Sequence, residues 1–249
     1  MKLSIITVVY NNERTIVDAI NSVLGQTYKN IEYIIIDGKS TDKTLALIEK
    51  HADGIHKIVS EADKGIYDAM NKGISLATGE VVGILNSDDV YADEKVLESV
   101  MQQFLNDPAL DMVYGDLVYV QSDDLDEVVR TWKSMSYYEE YFEDGHVPPH
   151  PTLFLKKAVY QQSGLFDIKM KLAADYELML RIFKKYHFKS VYLSRLLVKM
   201  RLGGSTNKNW KNIVKGNIEV LKAWKLNGLK APALLMPNRM LKRIAQFKR

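Results

Sequence analysis

Short apolar, β-branched runs alternate with helix-periodic segments through the first hundred residues, and nothing else in the chain restricts its fold as much. Residues 3–9 read as a strand. Residues 13–25 put Ile16, Ala19, Ile20, Val23 and Leu24 on one helical face. A second strand at 31–36 ends at Asp37-Gly38, and Thr41 is placed to cap a helix reaching about His51. Residues 55–59 form a third strand, 66–77 a helix and 80–85 a fourth strand. This alternation predicts an α/β fold with parallel strands joined by right-handed crossovers. The opening run, too short for a signal peptide and without a small-residue cleavage site, reads as the first strand.

Beyond residue 100 the pattern loosens. Residues 112–120 and 127–132 read as strands around the acidic loop Gln121-Ser122-Asp123-Asp124, and 136–143 as a short aromatic helix. The stretch 146–151 is irregular, because its prolines remove donors and fix φ. A helix is expected at 173–185, an extended segment at 191–200 and a break at Gly203-Gly204. From about 207 the chain reads as helical, divided by Pro232 and Pro237. There are about 11 basic residues from Lys208 onward against one acid, Glu219, so an acidic body carries a basic tail. Cysteine is absent, which excludes disulfides and thiolate zinc sites. No apolar run is long enough to span a bilayer as a helix.

Four acidic points recur at element ends. Asp37 closes the second strand, Asp63 follows the third, Asp88-Asp89 follow the fourth, and Asp175 opens the helix at 173–185. Any one alone reads as a cap or turn residue, and Asp88-Asp89 with Asp93-Glu94 would suit the start of a helix. Successive parallel strands, however, bring their carboxyl ends to one crevice, where open α/β sheets hold ligands. Carboxylates there can accept a uracil imide N–H or ribose hydroxyls, and an adjacent pair can hold Mg²⁺ or Mn²⁺ at a diphosphate.

The segments Thr7-Val8-Val9-Tyr10-Asn11-Asn12, Asp37-Gly38-Lys39-Ser40-Thr41-Asp42, Asp63-Lys64-Gly65, Ala69-Met70-Asn71-Lys72-Gly73 and Asn86-Ser87-Asp88-Asp89 stand in the order and spacing of one family. Residues 1–205 resemble the family 2 glycosyltransferases, above all small bacterial members that build O-antigen, capsule or exopolysaccharide units. The resemblance implies the GT-A fold, a mixed, mostly parallel sheet flanked by helices. Its nucleotide-binding half would be 1–100 and its acceptor and catalytic half 101–205, followed by a helical basic tail at 206–249.

The resemblance also assigns roles. Thr7, Val9, Tyr10, Asp37 and Asp63 would bind the nucleotide, Asn86 and Asp88 the donor, and Asp89 with Asp88 the divalent cation, Mn²⁺ or Mg²⁺. Arg201, Gly204 and Ser205 match a loop near the diphosphate. Asp175 matches the catalytic base, with Ala174 where a Glu often stands. Lys39 replaces a usual small residue. His150 fits a contact to acceptor, phosphate or metal, or a structural role. Trp132, Tyr137, Tyr138, Tyr141 and Phe142 suit either sugar stacking or the core.

The implied reaction is inverting transfer from a nucleotide sugar, with UDP favoured, to an acceptor carried on a polyprenyl diphosphate at the cytoplasmic membrane face. The tail, with apolar residues among its cations, fits an anionic membrane surface better than nucleic acid. Packing on its own body or, in a homodimer, on a second copy is the alternative. A sugar nucleotidyltransferase is the alternative within the α/β class, but strand one leads into Tyr10-Asn11-Asn12-Glu13-Arg14 without a glycine-rich loop. A non-catalytic scaffold with the same fold is the other, and the intact acids oppose it.

Overall fold

The computed structural model describes residues 1–203 and 210–247. The predicted alternation is present: β1 (Leu3–Val9), α1 (Ile16–Leu24), β2 (Ile31–Asp37), α2 (Thr44–Glu49), β3 (Lys57–Ser60), α3 (Ile66–Leu76) and β4 (Val81–Ile84). There follow β5 (Asp89–Tyr91), α4 (Val96–Asn106), β6 (Met112–Val120), β7 (Val128–Trp132), β8 (Phe154–Lys156), α5 (Lys157–Ser163), α6 (Ala174–Leu180), β9 (Ser190–Arg201), α7 (Trp210–Leu226) and α8 (Leu235–Ala245). The strands form one mixed sheet in the order β3-β2-β1-β4-β8-β6-β9-β5, with β7 on β6. The pairs β3-β2, β2-β1, β1-β4 and β6-β9 are parallel, whereas β8 runs antiparallel to both β4 and β6. The two parallel blocks on either side of β8 therefore point the same way. Their carboxyl ends lie along one edge.

The central strands are apolar on both sides. All seven residues of β1 are buried, as expected of parallel strands covered by helices on both faces. One face packs Ile6, Val8, Ile34 and Ile36 against Met70 and Ile74 of α3. The other packs Ile5, Tyr33 and Ile35 with Ile16 and Ile20 of α1. Burying one such aliphatic side chain contributes about 1.5–3 kcal/mol.

Several local expectations change. Thr41 does not cap α2; the helix begins at Thr44, whose N–H is taken by Asp42 Oδ1 at 3.0 Å. Residues 139–145 form turns rather than a helix. Tyr141 and Phe142 are driven into the core, and helical propensity yields to that packing. Asp88-Asp89 open no helix, because Asp89 pairs with Met200 and becomes the first residue of β5. The helix at 174–180 ends in a π-helical turn over Arg181–Lys185. Pro237 does not divide the tail: it lies in the first turn of α8, where no N–H partner is required.

The basic segment is not a loose appendage. Val220, Ala223, Trp224 and Leu235 are buried in the same cluster as α3 and α6. Trp224 Nε1 donates to the Tyr176 hydroxyl at 2.8 Å, and Asn227 Nδ2 to Glu177 Oε1 at 3.0 Å.

Candidate active site

The carboxyl edge of the sheet gathers most of the predicted acids. β2 delivers Asp37, fully buried, with Oδ1 accepting from Ser40 Oγ at 2.5 Å and Oδ2 from Ser60 Oγ at 2.6 Å. Gly38 follows because the Asp63 carboxylate occupies the space a side chain would need: an added Cβ would stand 2.5 Å from Asp63 Oδ2. Lys39 takes a positive φ of 65°, and Asn11 one of 49°, so the β1 and β2 loops both carry backbone strain at this rim. Asn11 Oδ1 accepts the Thr41 N–H at 2.7 Å, and Asn12 Nδ2 donates to Ser87 Oγ at 2.9 Å. These bonds tie the loops after β1, β2 and β4 into one wall. Tyr10 is 62% exposed on it. The Val9 and Thr7 side chains are buried, Val9 opposite Asp37 in the sheet and Thr7 with its Oγ1 3.1 Å from the Tyr33 hydroxyl.

Asp89 is fully buried. Its Oδ2 accepts from Asn86 Nδ2 at 3.0 Å, whereas its Oδ1 has no hydrogen-bond partner. Burial, then the neighbouring Asp88 charge, push the Asp89 carboxyl well above its ordinary range, and Asn86 and Arg201 oppose this only in part. Burial raises Asp88 as well, against the charges of Arg201 and His150. Among the described residues no three His, Cys, Asp or Glu side chains form a metal cage. The donor set still fits a hard divalent cation. A buried carboxylate oxygen lacks a partner beside a second carboxylate, and Mg²⁺ or Mn²⁺ commonly takes one or two carboxylates with phosphate oxygens and water.

Arg201 ends β9 beside this pair, but its guanidinium is committed to protein oxygens. It donates to the Asp88 carbonyl at 2.9 Å, to the Ser122 carbonyl at 3.1 Å and to Asp18 Oδ2 at 2.5 Å. It thus clamps the β4–β5 turn. Gly204 and Ser205 lie outside the described residues.

Asp175 sits in the first turn of α6, where unpaired backbone N–H groups favour a negative charge. Tyr67 donates its hydroxyl to Oδ1 at 3.0 Å, and His150 Nδ1 lies 3.2 Å from Oδ2. Glu219 of α7 fixes the approach to α6 by accepting the N–H groups of Lys171, Leu172 and Ala173 at 2.8–3.0 Å. Sequence reasoning missed Tyr67, Glu219 and Asp18. Tyr67 follows Asp63-Lys64-Gly65 by two residues, and that proximity was the available signal. Nothing local marks Glu219 or Asp18.

The sequence profile described as "Glycosyl transferase family 2" matches residues 4–161, and the chain belongs to that family. It is a glycosyltransferase dependent on a nucleotide sugar. An uncharacterized glycosyltransferase of Rickettsia prowazekii is 30% identical over 218 residues, 83% of this chain and 66% of that protein. A PGL/p-HBAD biosynthesis glycosyltransferase of Mycobacterium bovis is 26% identical over 183 residues, 72% of this chain and 69% of that protein. S. aureus TarS 1-349 superimposes with a TM-score of 0.69 at 18% identity, covering 98% of this chain and 72% of that one. TarS 1-349 has also been solved with UDP. The mannosyltransferase PcManGT of Pyrobaculum calidifontis, solved with GDP-Man and Mn²⁺, gives 0.63 at 16% identity, covering 98% of this chain and 74% of that one. These structural likenesses establish the fold, a GT-A-like mixed α/β sheet.

Proposed function

We propose that this glycosyltransferase moves a sugar from a UDP-sugar to a glycan hydroxyl with inversion, using Asp175 as base and a divalent cation at Asp88-Asp89. The observation that carries the reading is the division of carboxylates along one sheet edge. Asp37 and Asp63 lie at one end, the half-satisfied Asp89 follows β4, and Asp175 lies against the Tyr67 hydroxyl and His150, whose charge acts on Asp88.

At the nucleotide end Tyr10 is exposed and Asp63 half-buried, and buried Asp37 holds Ser40 and Ser60 through its two oxygens. Asn86 keeps Asp89 oriented, and Arg201 keeps the turn that carries both acids in place. A cation held by Asp89 and Asp88 would offset negative charge on the departing diphosphate. The acceptor oxygen forms its bond to the anomeric carbon from the face opposite the diphosphate. The anomeric carbon–oxygen bond breaks, its electron pair leaves with the nucleoside diphosphate, and the hydroxyl proton passes to Asp175. A thermal-shift screen of UDP-, GDP- and dTDP-sugars with and without Mn²⁺ tests the donor and metal assignments. Stabilisation by a UDP-sugar that needs Mn²⁺ is expected. A metal-independent shift with another nucleotide would overturn both.

The acceptor belongs, in this reading, to a lipid-linked glycan of bacterial surface polysaccharide synthesis, met at the inner face of the plasma membrane. Support comes from α8, which leaves Met240, Leu241 and Ile244 more than half exposed beside Lys242 and Arg243 with no acid in the helix, and from Phe247 just after it, also more than half exposed. No helix among the described residues is long and apolar enough to cross a membrane, so the contact would be interfacial. Leu235 is built into the core and Arg239 lies 4.6 Å over the Tyr176 ring, so substitution tests this better than truncation. Replacing Met240, Leu241 and Ile244 together by Ser should abolish co-sedimentation with anionic vesicles at low salt. Undiminished pelleting would remove α8 as the anchor.

A further inference from the structure

We infer that His150 and Tyr67 are positioning residues for the transfer, holding the Asp175 carboxylate in one orientation by placing a donor on each of its oxygens. The inference rests on Asp175 being the base. Three segments distant in sequence meet here: the first turn of α3, the turn His150–Thr152 before β8, and the first turn of α6. Tyr67 is 9% exposed and its ring stacks on Phe166 with centroids 5.5 Å apart, so the phenol has little freedom. Its hydroxyl reaches Asp175 Oδ1 at 3.0 Å. His150 is carried between Pro149 and Pro151, whose fixed φ angles stiffen the turn, and its Nδ1 stands 3.2 Å from Asp175 Oδ2.

An ionised carboxylate only accepts, so we assign the hydrogen between His150 Nδ1 and Asp175 Oδ2, 3.2 Å apart, to Nδ1. The Tyr67 hydroxyl also remains a donor, because burial and then the Asp175 charge push its ionisation well above the ordinary phenol range. Each carboxylate oxygen thus faces one donor, Tyr67 at Oδ1 and His150 at Oδ2, and keeps a lone pair for an incoming proton. Turning the carboxylate about its Cβ–Cγ bond would break both contacts. The cavity that Asp175 and His150 line is otherwise mostly apolar, with Met70, Ile84, Leu153 and Met179, and Tyr160 also borders it. Neither His150 nor Tyr67 gains or loses a proton in the reaction. The proton moves from the acceptor oxygen to Asp175.

The discriminating experiment uses side chains that copy one imidazole nitrogen at a time. Asn places an amide N–H near the position of Nδ1, and Gln places one near Nε2. Full-length His150→Asn, His150→Gln, His150→Ala and Tyr67→Phe are compared with the wild type. Turnover is measured with whichever of a panel of UDP-, GDP- and dTDP-sugars the wild type consumes. We expect kcat to fall about 10- to 100-fold in His150→Ala, His150→Gln and Tyr67→Phe, the scale of a misplaced reacting group. We expect His150→Asn to recover most of it and KM for the donor to stay within about twofold throughout, because nothing that binds donor is removed. Imidazole ¹⁵N resonances of the wild type should show the Nδ1–H tautomer, a readout independent of any substrate.

Rescue by Gln but not Asn would overturn the inference and place His150 in direct contact with a ligand through Nε2. Failure of Asn to rescue in a variant that melts like the wild type would also overturn it. So would wild-type kcat in His150→Ala, or the Nε2–H tautomer. If Asp175→Asn keeps wild-type turnover, the base assignment itself fails. If Asp175→Asn is inactive and Tyr67→Phe and His150→Ala are not impaired, only the positioning role fails.

Discussion

Glu32 and Asp89 are buried carboxylates at opposite ends of one sheet, and they are treated in opposite ways. Glu32, beside the start of β1, accepts from Ser4 Oγ at 2.5 Å, Thr78 Oγ1 at 2.6 Å, the Thr78 N–H at 2.7 Å and Lys2 Nζ at 3.1 Å. Burial alone would raise its carboxyl, but these donors outweigh it and bring it down to about 2. Asp89 has one side-chain donor, an unpartnered oxygen and a like charge next to it, and it is pushed up. A carboxylate with all its acceptor sites filled has a sufficient structural reason to be buried. One left half-filled beside another charge is costly to the protein alone, and in the proposed function a bound cation offsets that cost.

The largest expected effect comes from the open end. Asp89→Ala should abolish transfer and the Mn²⁺-dependent part of nucleotide binding while the thermal transition stays cooperative; full activity would remove Asp89 from the site. Asp175→Asn should lower kcat about 10²- to 10⁴-fold, the scale of a lost general base, with donor affinity nearly unchanged. Loss of donor binding with turnover kept at saturation would make Asp175 a donor ligand instead.

At the closed end, Glu32→Gln should leave kcat unaltered and cost about 1–3 kcal/mol of stability, the range for broken charged hydrogen bonds, measured by urea unfolding at pH 7. The smallest and most telling effect is a change of sign. Asp89→Asn should raise the melting temperature of metal-free protein, because it removes a charge the fold does not compensate.

Linkage gives both signs. Glu32 is depressed in the folded state, so its stabilisation is complete above the unfolded carboxyl value and drains away as pH falls toward about 2. Asp89 is raised, so the folded state holds its proton longer, and stability is lost as pH rises from the unfolded value toward the folded one. Equal shifts of the same sign in Glu32→Gln and Asp89→Asn would break the contrast.

Much of this was readable from the chain. Short apolar, β-branched runs marked β1 through β4 and helical periodicity marked α1, because central parallel strands are buried on both faces and α1 buries one. Asp37, Asp63 and Asp88-Asp89 could be placed on one edge, because parallel strands must share a carboxyl end. Local rules failed where long-range contacts outvoted them. Residues 139–145 turn rather than coil into a helix so that Tyr141 and Phe142 can fill the core. Asp89 enters a strand because β9 is there to pair with it.

The sequence by itself thus determined the fold class, the family and the acidic edge, all of which follow from short-range pattern and residue order. Only the tertiary structure decided which acids are satisfied and which are open. It committed Arg201 to Asp18 and two carbonyls, turned Glu219 inward to hold the segment before α6, and set Tyr67 and His150 on the two oxygens of Asp175. Tyr67 and Asp175 are separated by 108 residues, and Arg201 and Asp18 by 183. No local propensity encodes such pairs, because hydrogen bonds across that distance exist only once packing has brought their partners within 3 Å or so.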